Sequence, residues 1–277
     1  MNLSWNKNLR NRILVGILGA PLLLAAAFYG GIFFLLIMSV ILVIALFELL
    51  EMGHVLQIPL QAAMSYIFSL ALFIDMYYFG AGHLYFLITG FILMLFAAGL
   101  FTKIDNSLFT ISYTCFATVY LSMFLGSLIL IRQYPFDSGY GIGGKMIALI
   151  FICVWLLDTI AYFSGRIFGK HPLFPRISPK KTVEGSIGGI IGSLVAAIAV
   201  RSLFFNELPF SDAVVISLII GILGQIGDLL ESYLKRKTGI KDSSSLLPGH
   251  GGMLDRFDSL IFIGPCILFY IKYSISL

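Results

Sequence analysis

Long apolar runs separated by short polar clusters set the character of the chain. About nine stretches reach spanning length, over roughly residues 13–29, 32–50, 62–79, 84–101, 109–131, 146–165, 186–204, 213–231 and 254–272. A membrane helix needs about 20 mostly apolar residues to cross a hydrocarbon core about 30 Å thick. The pattern predicts an all-α fold, a polytopic transmembrane helix bundle of about nine spans in a single integral membrane domain, residues 1–277. Residues 13–145 supply the N-terminal helices, and residues 146–277 the helices and loops where polar chemistry concentrates. The tightest break is the Gly30-Gly31 turn, and Pro21 is expected to kink the first helix. Ala25, Ala26 and Ala27 resemble a signal-peptide cleavage site, but the apolar run continues through Phe28 and Tyr29, which favours a retained helix pair.

Composition agrees with this. The chain is 59% hydrophobic and 12% charged, against about a quarter charged in soluble domains. Cys115, Cys153 and Cys266 each lie in an apolar run, which gives neither a disulfide framework nor metal-ligand spacing. The net charge of +4 matters less than its placement. With a cytoplasmic N-terminus, the cytoplasmic segments hold Lys7, Arg10, Arg12, Lys103, Arg166, Lys170, Arg176, Lys180, Lys181, Lys235, Arg236, Lys237, Lys241 and Arg256. The other side holds Arg132, Lys145, Arg201 and Lys272. Two polar loops, about 166–185 and 232–253, then face the compartment that supplies nucleotides, and the C-terminus lies opposite. No basic patch interleaved with aromatics suggests nucleic acid.

The last third carries the chemistry. Asp228 and Glu231 end one expected span and share a helix face; Asp255 and Asp258 open the next with the same spacing, Arg256 between them. Acids within a membrane are expensive and usually functional. Asp255 and Asp258 also suit a helix N-terminus, whereas Asp228 and Glu231 would oppose the dipole at a C-terminus. A divalent cation would compensate them, and magnesium prefers such carboxylates together with substrate phosphates. The loop between offers Lys235, Arg236, Lys237, Lys241 and Asp242, then Pro248-Gly249-His250-Gly251-Gly252. The basic cluster reads equally as a topology anchor or a phosphate site. The glycines allow close approach of backbone N–H groups to an anion at a helix start. A second polar segment lies upstream: Asp158 and Tyr162 one turn apart, then Ser178, Lys180, Lys181 and Thr182 before a span, where Thr182 also suits an N-cap.

These residues resemble a known family. Ser232-Tyr233-Leu234-Lys235-Arg236, Lys241-Asp242 and Pro248-Gly249-His250-Gly251-Gly252-Met253-Leu254-Asp255-Arg256-Phe257-Asp258 are similar to the signature of phosphatidate cytidylyltransferases, the CDP-diacylglycerol synthases. The segments Ser178 to Gly185 and Asp158 to Tyr162 resemble the same family, so the motifs span about residues 158–258. The resemblance implies a membrane enzyme, often dimeric, that joins CTP to phosphatidic acid and releases pyrophosphate with Mg2+; a monovalent cation such as K+ is a further candidate. It implies Asp228 and Asp255 as metal ligands, with Glu231 and Asp258 as additional candidates. Lys241 and Arg256 join those two aspartates as catalytic candidates, Lys and Arg stabilising the departing pyrophosphate. Ser178, Lys180, Lys181, Thr182, Lys235, Arg236, Asp242, Gly249, His250, Gly251 and Gly252 would contact substrate, His250 as a hydrogen-bond donor to phosphate. The expected setting is the cell's inner membrane, with the site facing the cytoplasm.

Two rivals remain open on the residues. A CTP-dependent lipid-alcohol kinase would release CDP instead of pyrophosphate. An ion-coupled transporter also uses intramembrane acids and broken helices, but here the acids lie near helix ends beside basic loops.

Overall fold

The computed structural model describes residues 3–56, 58, 61–101, 107–137, 139–244 and 251–275. Among them the chain is almost entirely helical: α1 (Leu3–Tyr29), α2 (Gly31–Val55), α3 (Ala62–Phe79), α4 (Leu84–Phe101), α5 (Ser107–Gln133), α6 (Gly141–Phe168), α7 (Val183–Phe204), α8 (Phe210–Lys237) and α9 (Leu254–Ser274). A two-stranded hairpin, β1 (Pro172–Phe174) and β2 (Ser178–Thr182), separates α6 from α7. The protein is thus an all-α, polytopic membrane protein. Helices α2 to α8 are long and apolar enough to cross a bilayer. The described side chains of α1 give a shorter apolar stretch, Gly16–Tyr29, and α9 opens with Asp255, Arg256 and Asp258. α1 runs through Pro21 unbroken.

Gly30 and Gly31 make the α1–α2 turn at φ 63° and 55°, a region side chains other than glycine rarely adopt. Arg132, 1% exposed, explains why the turn is so tight. Its Nε donates to Ala27 O at 2.6 Å, Nη2 to Phe28 O at 3.0 Å and Nη1 to Tyr140 O at 3.2 Å. The two carbonyls from α1 belong to a helix end, where no intrahelical donor remains. A residue counted in the sequence as a topology charge is therefore a clamp between α5 and α1. Asp75 is also structural: it accepts from His83 N at 3.2 Å and lies 2.8 Å from His83 Nδ1, closing the α3–α4 corner.

Helices α6 and α7 approach very closely. A Cβ on Gly189 would stand 2.9 Å from Leu157 Cδ1 and 3.0 Å from Ala161 Cβ; one on Gly185 would stand 2.9 Å from Ala161 O. Small residues four apart let membrane helices pack backbone to backbone, where lipid offers no hydrophobic drive. Polar links fix the next helices in turn. Ser193 Oγ donates to Ser217 O at 3.0 Å, and Ser259 Oγ to Gly224 O at 3.0 Å.

Two expectations need correction. The segment before α7 is an antiparallel hairpin, with Pro172 opposite Thr182 and Phe174 opposite Ser178. α8 also runs on to Lys237, past the expected end at residue 231. Asp228 and Glu231 therefore lie inside the helix, and the helix dipole is not what opposes them.

Candidate active site

One cavity of about 570 Å³ gathers the polar segments that the sequence presents as separate sites. α6 contributes Asp158, Tyr162 and Arg166; the hairpin contributes Ser178, Lys180, Lys181 and Thr182; α8 contributes Gln225, Asp228 and Lys235. Asp242 and the first turns of α9, with Asp255, Arg256 and Asp258, complete the wall. The close α6–α7 contact carries the hairpin to the end of α6. Thr182 Oγ1 accepts from Gly185 N at 3.1 Å, the expected N-cap of α7. Glu184 secures the preceding corner by accepting from Lys170 N at 3.1 Å and His171 N at 3.3 Å.

Inside the cavity Asp228 and Asp255, the two acids first offered as metal ligands, each face a lysine offered as a phosphate ligand. Lys181 pairs with Asp228 across α7's entry and α8. Lys235, 8% exposed, pairs with Asp255 on α9 and lies 3.3 Å from Glu231 Oε1 one turn back on α8. Asp255 Oδ2 also accepts from Ser243 N at 3.0 Å, Ser243 Oγ at 3.0 Å and Gly252 N at 2.8 Å. The Asp255 carboxylate is thus held from α8, from the loop and from its own helix start. Gly251, at φ 83°, makes that return of the backbone possible.

Glu48, like Glu51 and Asp75, has no role that the sequence assigns. It lies in the last turns of the apolar helix α2 and is 0% exposed. Its carboxylate accepts from Ser243 Oγ at 2.9 Å, Ser244 Oγ at 2.5 Å, Met253 N at 2.9 Å and Leu254 N at 2.7 Å. Those N–H groups open α9 and have no intrahelical acceptor, so Glu48 caps α9 from another helix. Ser243 touches both Glu48 and Asp255 and links cap to cavity. No local sequence signal marks these contacts, which lie about 200 residues away along the chain.

The expected residues divide clearly. Asp228, Asp255, Asp258, Ser178, Lys180, Lys181, Thr182, Lys235, Asp242 and Arg256 line the cavity. Lys241 is exposed and lies outside it. Arg236 turns to the other side of the hairpin, donating to Ile240 O at 3.0 Å and Ile177 O at 3.4 Å. Glu231 is buried behind the wall, and Gly251 and Gly252 shape the loop without lining the cavity. Gly249 and His250 lie outside the described residues. Asp158 and Gln225 join the wall. Glu51 is exposed with no contact to the cavity.

The donor set suits a hard divalent cation: Asp158, Asp228, Asp255 and Asp258 present carboxylates to one cavity. Neither oxygen of Glu231, 5% exposed, receives a hydrogen bond. Among the described residues, no three of these acids, with or without histidine or cysteine, stand together as a metal-holding group. Ammonium groups hold Asp228 and Asp255 instead.

A polytopic bundle with an ion-rich cavity at the ends of four elements defines a membrane enzyme suited to highly charged substrates. The sequence profile described as the Cytidylyltransferase family matches residues 10–274, and the chain belongs to that family of nucleotidyltransferases. Bacillus subtilis (strain 168) has a phosphatidate cytidylyltransferase 34% identical over 271 residues, covering 95% of this chain and 97% of the relative. Another phosphatidate cytidylyltransferase, from Staphylococcus haemolyticus (strain JCSC1435), is 36% identical over 260 residues, 92% of this chain and 96% of the relative. One from Staphylococcus aureus (strain COL) is 47% identical over 127 residues, 45% of this chain and 48% of the relative.

Proposed function

We propose that the protein transfers the cytidylyl group of CTP to phosphatidic acid, forming CDP-diacylglycerol and pyrophosphate. The observation that carries this reading is the meeting of hairpin lysines, α8 and α9 acids and Arg256 at one cavity, in a chain whose family relatives are named for that reaction. In the reaction a phosphate oxygen of phosphatidate forms a bond to the CTP α-phosphorus. The bond from that phosphorus to the oxygen bridging the β-phosphate breaks, and pyrophosphate leaves with the electron pair. The nucleophile is already anionic, so the chain needs no strong base. Its task is to hold several negative charges together. Lys180, Lys181, Lys235 and Arg256 are placed to do this from three sides of the cavity. To reach phosphate, Lys181 and Lys235 exchange their present carboxylate partners for substrate oxygens.

Asp228 and Asp255 would hold Mg2+, with Asp258 at the same cavity and Glu231 buried behind its wall. When bound, the ion offsets triphosphate charge and orients the α-phosphoryl group. Lys241 stands outside the cavity and is given no substrate contact. The reading includes a cytoplasmic N-terminus in the inner membrane, a site facing the cytoplasm, about nine spans and a homodimer. The one-sided distribution of lysine and arginine supports that orientation.

The test supplies detergent-purified protein with CTP, phosphatidic acid and Mg2+, and measures pyrophosphate and lipid-linked cytidine together. Equimolar products, lost on chelation and in Asp228→Asn and Asp255→Asn, are expected. CDP formation with lipid alcohols, without pyrophosphate, would replace this reading with a kinase. Active aspartate variants would keep the reaction and remove those ligands.

A further inference from the structure

The hairpin has a second side. Its turn and the end of α8 enclose another cavity, of about 690 Å³, lined by Phe174, Pro175, Arg176, Ile177, Tyr233, Arg236 and Lys237. Three of these are cations and none is an acid. Arg236 is fixed by its bonds to Ile177 O and Ile240 O, which tie the hairpin turn to α8. Lys237 Nζ lies 5.4 Å from the centre of the Tyr233 ring. Among the described residues Arg176 is exposed, with no hydrogen bond or ion pair. The remaining wall is apolar: Phe174, Pro175, Ile177 and the Tyr233 ring. Flanking residues of the same elements face the substrate cavity, with Leu173, Ser178 and Lys235 on that side. The hairpin therefore stands as a partition between two cavities.

We propose that this second cavity is a non-catalytic site for the headgroup of an anionic diester phospholipid, a site that does not depend on the reaction assigned to the first cavity. A phosphate diester carries one negative charge flanked by glycerol and acyl chains. The cavity matches that order: cations at Arg176, Arg236 and Lys237, beside an aromatic and aliphatic wall. The place matches as well. The apolar part of α8 gives way to Lys235-Arg236-Lys237 at the cavity, and basic side chains at such helix ends attract anionic lipid. A nucleotide triphosphate would set about four negative charges against three cations and leave most of the apolar wall unused.

The experiment reconstitutes the full chain in phosphatidylcholine vesicles and measures association of spin-labelled phosphatidylglycerol, phosphatidic acid and phosphatidylcholine by electron paramagnetic resonance. The parent should select phosphatidylglycerol, and Arg176→Gln with Lys237→Gln should cut that selectivity at least fivefold, since each such charge contributes roughly a fivefold preference at a membrane surface. Lys272→Gln, a charge removed from the end of α9, should leave it unchanged. The double variant should keep the parent's thermal unfolding midpoint, which shows that it is folded, and the parent's nucleotide turnover when phosphatidic acid is supplied as acceptor in phosphatidylcholine vesicles. Equal association of the phosphatidylglycerol and phosphatidylcholine labels with the parent would overturn the site. So would the same loss with Lys272→Gln, selectivity confined to phosphatidic acid, or displacement of the label by CTP without Mg2+.

Discussion

Replacing Glu48 tests how firmly the cavity is held from outside. Glu48→Ala removes the acceptor of four hydrogen bonds, from Ser243 Oγ, Ser244 Oγ, Met253 N and Leu254 N. The two hydroxyls can turn to other acceptors, but the two N–H groups open a helix and cannot. A buried donor left unsatisfied costs about 1–3 kcal/mol, so the pair gives about 2–6 kcal/mol. Glu48→Gln keeps the volume and one acceptor oxygen but turns an amide donor toward N–H groups, and should cost about 1–3 kcal/mol. Ser243 also bonds Asp255 at 3.0 Å, so part of this loss should appear as misplacement of that carboxylate. Each 1.36 kcal/mol off transition-state stabilisation is about tenfold in rate. If about half of that loss reaches the carboxylate, Glu48→Gln should lower kcat by about 2- to 10-fold, with a smaller change in KM for CTP, and lower the thermal unfolding midpoint in detergent. The assay is steady-state pyrophosphate release with unfolding followed on the same preparation. Parental kcat and parental midpoint in Glu48→Gln would refute the reasoning. A lowered midpoint with parental kcat would confine Glu48 to stability and sever its link to Asp255.

Arg132→Ala should destabilise strongly, by about 3–5 kcal/mol in line with other buried charge-assisted networks broken at one partner, with kcat retained in the folded fraction because the clamp sits at the other end of α6 from Asp158. Arg132→Lys should recover only part of that loss, as measured by thermal unfolding, since the ammonium's donors share one nitrogen whereas the guanidinium reaches the three carbonyls from three separate nitrogens. Gly189→Leu should force α7 away from Leu157 and Ala161, costing about 1–3 kcal/mol or more; the accompanying shift of the hairpin should lower activity beyond the loss of folded protein, read as specific activity of the monodisperse fraction.

Most of the bundle was legible because bilayer thickness imposes a length that apolar runs reveal. The expected spans 62–79 and 84–101 coincide with α3 and α4. The ends of α6 and α8 were not legible: past the apolar stretch, Arg166 or Lys235 continues a helix that no hydropathy signal follows. The hairpin was missed because its strands are short and Ser178-Pro179-Lys180-Lys181-Thr182 lacks the alternation of a half-buried strand. The identities of the cavity residues came from spacing and from family resemblance; their pairing did not. Lys235 reads as a solvated cation in a basic run, yet it is buried between Glu231 and Asp255 because α9 folds back on α8. Glu48 reads as one of two acids near the end of an apolar helix, and only tertiary structure supplies its donors.

The ion pairs within the cavity also set how its ligands depend on one another. The wall carries five basic side chains, Arg166, Lys180, Lys181, Lys235 and Arg256, and five acids, Asp158, Asp228, Asp242, Asp255 and Asp258. An anion that draws Lys181 away leaves Asp228 without its counter-charge, and a cation arriving at Asp228 releases Lys181. Each arrival lowers the cost of the other, and linkage makes the benefit mutual and equal in both directions. If the cavity holds these ligands, it should take a polyanion and its counter-cation poorly one at a time and well as a pair, which binding measurements of each with and without the other would show.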